Sequence, residues 1–122
     1  MLNFQEQAAK DLDAVFFNAT AFEFATTHKI AGIRGNRETP AVECLVVVDH
    51  ELYVDRRLSS KAENVTLNGM LFFIKKNDWI EKFRYIPKAQ QTALLFDGQR
   101  YIVDAVRDNM GVLEITLEAN RG

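Results

Sequence analysis

Cysteine is almost absent: the single Cys44 excludes an intrachain disulfide, and its setting in Cys44-Leu45-Val46-Val47-Val48 reads as a buried, inert thiol rather than a nucleophile. Histidine is nearly as scarce. His28, His50 and Cys44 form no Cys-x-x-Cys or His-x-x-x-His pair, so the ligand spacing that zinc needs is missing and no metal is expected. His50, within Asp49-His50-Glu51, reads as a solvated turn residue, as does His28 at a strand end. Charge of one sign is lacking too. With 15 basic and 17 acidic residues the net charge is −2, which excludes the broad positive field of a dedicated nucleic-acid binder. The longest apolar run, Met70-Leu71-Phe72-Phe73-Ile74, is far too short to span a bilayer, and the N-terminus has no basic region leading into an apolar one. A chain that folds in a reducing cytoplasm is expected, with no membrane partner. Repeats, heptads and low-complexity tracts are also missing, and no composition shift marks a boundary. Residues 1–122 are therefore expected to form a single domain.

What is present is core material. Hydrophobic residues make up 48% of the chain, with nine Phe, three Tyr and one Trp, enough for one core without staples. The C-terminal third sets the pattern. Ala93-Leu94-Leu95-Phe96, Tyr101-Ile102-Val103 and Val112 to Ala119 are strand-like runs separated by Asp97-Gly98 and Asn109-Met110-Gly111. Both breaks tolerate the positive φ of tight antiparallel turns. In the last run Leu113, Ile115, Leu117 and Ala119 alternate with Glu114, Thr116 and Glu118, which predicts a half-buried strand with its carboxylates in water. A slip of one residue would bury those polar groups without partners, so the register is expected to be firm.

Upstream, Phe4, Ala8, Leu12 and Phe16 recur at helical spacing and predict an amphipathic helix over residues 4–17. Asn3 with Glu6 resembles a capping box at its start. Phe22-Glu23-Phe24 begins a short alternating strand toward Ile30. Residues 31–40, rich in Gly and charge with one Pro, read as a mobile loop or wide hairpin. Val42 to Val48 suits a central strand covered on most of both faces. Leu52 to Asn64 reads as an exposed arm or long loop, and Asn68-Gly69 as a turn into the strand over 70–76. A short helical turn and a surface loop fit 76–87. The sum predicts a mainly β fold: a small antiparallel barrel or sandwich over about residues 21–119, with the N-terminal helix packed on it.

The search for chemistry returns little. There is no Gly-x-x-x-x-Gly-Lys-Ser/Thr loop and no Gly-x-Gly-x-x-Gly turn to cradle phosphates. Gly32-Ile33-Arg34-Gly35 has the outline of a nucleic-acid clamp without that module's flanking helices, and reads as a plain turn. Nucleophilic catalysis would require Ser59, Ser60 or Cys44 beside an oriented base, and no nucleophile elbow is present. No catalytic residue and no cofactor is expected. Arg56, Arg57, Lys61, Lys75, Lys76, Lys82 and Arg84 lie near Tyr53, Trp79, Phe83 and Tyr85, the mixture a single-strand nucleic-acid binder uses. Interspersed acids cancel most of that field and favour protein contacts.

Several motifs count together: Glu23-Phe24-Ala25 with Thr27-His28; Cys44 to Asp49 followed by Glu51-Leu52; Leu71 to Asp78; Phe96-Asp97-Gly98-Gln99-Arg100-Tyr101-Ile102-Val103; and Met110 to Arg121. In this set the chain resembles the small head-tail joining, or head-completion, proteins of tailed phages and prophages of Gram-positive bacteria. It departs from them in the longer 32–40 segment and in residues 79–85. The resemblance implies a non-enzymatic adaptor with a β-barrel and an N-terminal helix, monomeric before it assembles as a ring beneath the portal. That ring would meet portal or adaptor proteins above and tail-terminator proteins below, first in the host cytoplasm and then at the head-tail junction of the virion. Two alternatives are a tail-terminator ring protein and a small-barrel single-strand nucleic-acid binder. On the adaptor reading the 52–64 and 77–87 segments are the candidate docking elements, with Trp79, Phe83 and Tyr85 as aromatic candidates. Closure of the barrel end is the competing role for these segments. Arg56 and Arg57 are further candidates, for docking or for contact with packaged DNA in the channel.

Overall fold

The computed structural model describes residues 25–58 and 67–119. The helix expected over 4–17, the strand start at Phe22 to Phe24, and Ser59, Ser60 and Lys61 lie outside them.

Seven strands form one antiparallel sheet among the described residues: β1 (Thr26–Arg34), β2 (Arg37–Glu38), β3 (Val42–Val48), β4 (Gly69–Lys75), β5 (Ala93–Phe96), β6 (Gln99–Asn109) and β7 (Val112–Ala119). Their order is β2-β1-β3-β4-β7-β6-β5, and β5 returns to pair with β1. The fold is therefore mainly β, and the sheet closes into a barrel rather than splitting into a sandwich. Closure depends on β1 dividing its pairing. Thr26 to Ile30 match Val46 to Val42 of β3, and Ile30 to Ile33 match Phe96 to Ala93 of β5. A closed sheet leaves few unpaired edges for other chains to join.

The local turns form as the sequence predicts. Asp97 and Gly98 sit at φ 51° and 87°, Met110 and Gly111 at 55° and 90°, the positive values that join strands through two residues. The 32–40 segment is a tight hairpin rather than a wide one: β1 and β2 pair through Ile33 and Glu38, and Thr39 Oγ1 accepts from the Gly32 N–H at 2.9 Å. Gly69 is no turn residue. It lies within β4 opposite Glu118, where an added Cβ would stand 1.9 Å from the Leu117 carbonyl oxygen.

Two cores result. Ile30, Cys44, Val46, Phe72, Ile74, Leu94, Phe96, Val103, Leu113, Ile115 and Leu117 fill the barrel. A smaller cluster of Tyr53, Leu71, Phe73 and Val112 lies on its outside. The outer cluster exists because residues 50–58 are not an exposed arm but a helix, α1 (His50–Leu58). Asp49 starts it: its carboxylate accepts the Leu52 N–H at 2.9 Å, and its carbonyl accepts the Tyr53 N–H, satisfying donors that a helix start leaves open. His50 is the exposed first residue of α1.

α1 corrects the reading of β7. Both faces of that strand are covered, and Glu114 and Thr116 are each only 7% exposed. The register remains constrained, because a slip would aim the carboxylates into the barrel and away from their partners on α1. β3 departs in the opposite sense. Cys44 and Val46 face inward and are buried, while Leu45 on the opposite face and Val48 at the strand's end stay 44% and 40% exposed.

Candidate functional site

Helix α2 (Lys76–Phe83) follows β4 directly and closes one end of the barrel. Its spacing explains why. Trp79 and Phe83, four residues apart, share one face, and that face turns onto the barrel core. Trp79 is fully buried, its ring centroid 4.2 Å from that of Phe83 and 6.3 Å from that of Tyr85. The indole N–H donates to the Tyr85 carbonyl at 2.7 Å, so the polar handle of the tryptophan is satisfied inside the core. Arg84 ends the helix in the left-handed conformation, with its N–H on the Ile80 carbonyl, and the chain then turns so that Tyr85 folds back toward β1.

Around these aromatics lie two shallow cavities that share Arg34 and Tyr85 as a common wall. One, about 210 Å³, is lined by Gly32, Arg34, Thr39, Pro40, Val42, Lys82, Phe83 and Tyr85. The other, about 300 Å³, is lined by Ile33, Arg34, Tyr85, Gln91 and Thr92. The Arg34 guanidinium lies 5.2 Å from the centre of the Tyr85 ring, within the range of a cation–π contact. Lys82 donates to the Glu43 carbonyl at 2.8 Å. Burial raises the pKa of the Tyr85 hydroxyl and outweighs the lowering by Arg34. Gly32 permits this approach, since a Cβ there would meet Tyr85 Oη at 3.2 Å.

Trp79, Phe83 and Tyr85 thus come together, but in different roles. Trp79 is a core residue that fixes the half-buried Phe83 and Tyr85, and it presents no surface of its own. Arg56 and Arg57 lie elsewhere, on α1 against the outer face of β7. Arg56 makes a two-pronged contact with Glu114, through Nη1 to Oε2 and Nη2 to Oε1 at 3.2 Å. Arg57 Nε lies 3.3 Å from Glu118 Oε2 but off the line of a hydrogen bond, so the contact is ionic. Tyr53 Oη donates to the same carboxylate at 3.0 Å. These arginines face carboxylates of their own chain, and they neither converge with the aromatic end nor form a one-sided patch. Burial raises the Glu118 pKa despite Tyr53 and Arg57. Burial and the bond to Glu118 push the Tyr53 phenol up to about 12.

A third cluster had no separate sequence signal. His28 is half-buried against Phe96, with ring centroids 4.9 Å apart, and is not a solvated strand end. Its Nδ1 lies 2.6 Å from Asp97 Oδ2 and its Nε2 2.7 Å from Thr26 Oγ1. Asp97 also accepts the Lys29 N–H at 2.9 Å. Those two donations hold the Asp97 carboxyl below its usual range, the His28 bond being the larger cause. A hydroxyl, imidazole and carboxylate in series is the order of a nucleophilic relay, yet neither Thr26 nor His28 lines the cavity of about 400 Å³ beside Asp97. The series ties the β5–β6 turn to β1 at the line where the barrel closes. Only the pattern Thr-x-His at strand spacing could have hinted at it.

Cys44 is buried inside the barrel, and desolvation raises its pKa to about 11. It lies opposite His28 in register, but no group of His, Cys, Asp and Glu among the described residues is arranged to hold a metal. No helix among them is long and apolar enough to cross a membrane.

No protein-family model, curated protein or solved structure matches this chain.

Proposed function

We propose that this protein is a non-enzymatic virion structural component, a head-tail connector of the head-completion kind that forms a ring beneath the portal and receives the tail. The observation that carries the reading is the meeting of two motifs of the resemblance that lie far apart in sequence. Thr27-His28 and Phe96-Asp97-Gly98 join at the closing line of the barrel through the His28–Asp97 bond. Their co-occurrence therefore has one physical cause, and it supports treating the motif set as the signature of one fold rather than a chance run of short matches. On this reading the α2 end, with Phe83 and Tyr85 braced by Trp79, meets the neighbouring ring. Aromatic residues held rigidly by buried neighbours are what such contacts favour. A subunit that joins its ring only on the nascent particle needs surfaces too small to hold alone.

The test is capture. Labelled protein mixed with DNA-filled, tailless heads should bind at the portal vertex and restore tail attachment. Binding to isolated tails in place of heads would assign it to the tail-terminator ring. Salt-dependent binding to single-stranded oligonucleotide without capture by either particle would make it a nucleic-acid-binding barrel.

A further inference from the structure

We infer that the paired cavities at the α2 end of the barrel are a docking site for an acidic, extended peptide segment of a neighbouring protein, one that also inserts an aliphatic or aromatic side chain. The inference rests on the connector reading for its setting and goes beyond it in assigning the partner's chemistry.

Charge complementarity is the first ground. Among the described residues, Arg34 and Lys82 are the only charged ones lining the two cavities, and none of them contributes a carboxylate to either. Each cation is positioned by a contact that leaves donors over. Lys82 spends one N–H on the Glu43 carbonyl, while Arg34 is held over the Tyr85 ring, a contact with the π face that consumes no carboxylate partner. Shape is the second ground. Pro40, Val42 and Phe83 supply apolar lining in the same cavity as the two cations, a seat for one hydrophobic side chain accompanied by acids. The floor is preorganised, since Trp79 is locked beneath Phe83 and Tyr85 by its own hydrogen bond, which lowers the ordering cost of binding.

A nucleic-acid strand fits less well. It would need a run of cations tracking several phosphates and open aromatic faces for stacking. Here two cations line the site, and Arg34 covers Tyr85.

The probe is a panel of blocked, fluorescent peptides alternating Asp with Leu, Ile, Phe or Trp. It is read by anisotropy beside matched peptides with Asn for Asp and beside oligothymidylate. The acidic peptides should bind about tenfold or more tighter than their Asn counterparts, and rising salt should erode the difference. Arg34→Ala and Lys82→Ala should each weaken binding roughly tenfold with thermal stability unchanged. Arg100→Ala, which removes an exposed cation of β6 that lines neither cavity, should bind like the wild type. Equal binding of the Asn peptides, indifference to both cation variants, no binding by any peptide, or tighter binding of oligothymidylate would each overturn the inference. Head capture separates the two claims: wild-type capture without peptide binding leaves the connector standing and removes this site, whereas peptide binding without capture does the reverse.

Discussion

Trp79 shows how one residue can look like a contact point in the sequence and be a structural member in the fold. Among Lys76, Asn77, Asp78, Glu81 and Lys82 it reads as an aromatic stranded on a polar surface, yet it is fully buried, and the charged residues around it occupy the outer side of α2. Replacing it with Ala should cost about 3–5 kcal/mol in chemical denaturation, the usual penalty for emptying a large aromatic site. Ile80→Ala, one residue away but 39% exposed, should change stability by about 0.5 kcal/mol or less. Similar small losses for both variants would mean that Trp79 is not seated in the core. The same contrast marks what was legible in the site. Trp79 and Phe83 stood out as aromatics in a charged segment, and their spacing of four, which puts them on one helical face, was the signal for their shared burial. Lys82 could be placed near the aromatics from sequence, but its pairing with Arg34 in one cavity could not, because it joins β1 to α2 and no local pattern records that.

At the scale of elements, legibility followed locality. The β5–β6–β7 meander could be read from Asp97-Gly98 and Met110-Gly111, since a turn of two residues is decided by those two residues. α1 could not be read from apolar periodicity, because much of its buried face is Arg56 and Arg57 on Glu114 and Glu118 rather than a hydrophobic stripe. The overlooked signals were electrostatic: Asp49 at the start, Glu51 in the first turn and the two arginines in the last, each placed to suit the helix dipole. The carboxylates of β7 read as a wet face for the same reason. Tyr53→Phe tests the clamp. It deletes the hydroxyl that donates to Glu118 and should cost about 1–2 kcal/mol. It should also raise the Glu118 pKa further, followed by carboxyl NMR titration, because that bond favours the charged form. An unmoved titration would show that the phenol does not reach the carboxylate in solution. Gly69→Ala tests the packing beneath. With the Leu117 carbonyl in the way of any Cβ, β4 and β7 must separate, at a cost of about 1–3 kcal/mol. Gly35→Ala, in open space but at φ 61°, should cost about 1–2 kcal/mol from backbone conformation alone.

For the whole molecule, closure of the barrel makes stability depend on pH from two opposite directions. Asp97 ties β1 to the β5–β6 turn through His28 and the Lys29 N–H, and Asp108 ties β6 to α2 through Lys76 at 2.7 Å. Both carboxyls are held below their ordinary pKa, chiefly by those side-chain bonds. A depressed carboxyl stabilises the folded state fully above its unfolded pKa, about 3.9 for Asp. That contribution is lost as pH falls through the lower folded value. Glu118 works the other way. Its raised pKa gives a contribution that is present below the ordinary Glu value of about 4.3 and is lost as pH rises through the folded one, because a desolvated carboxylate must then be charged. Stability measured by denaturant from pH 2 to 7 should therefore lose part of its acid-side slope in Asp97→Asn and in Asp108→Asn. The two losses should be nearly additive, since the sites share no partner. Glu118→Gln should leave that slope intact and flatten the decline on the neutral side. Both aspartates are largely exposed, at 51% and 43% of their side chains, so solvent screening keeps each effect small and low ionic strength is the condition in which to look. An acid slope unchanged by Asp97→Asn would mean that the line closing the barrel is held by the β1–β5 ladder alone.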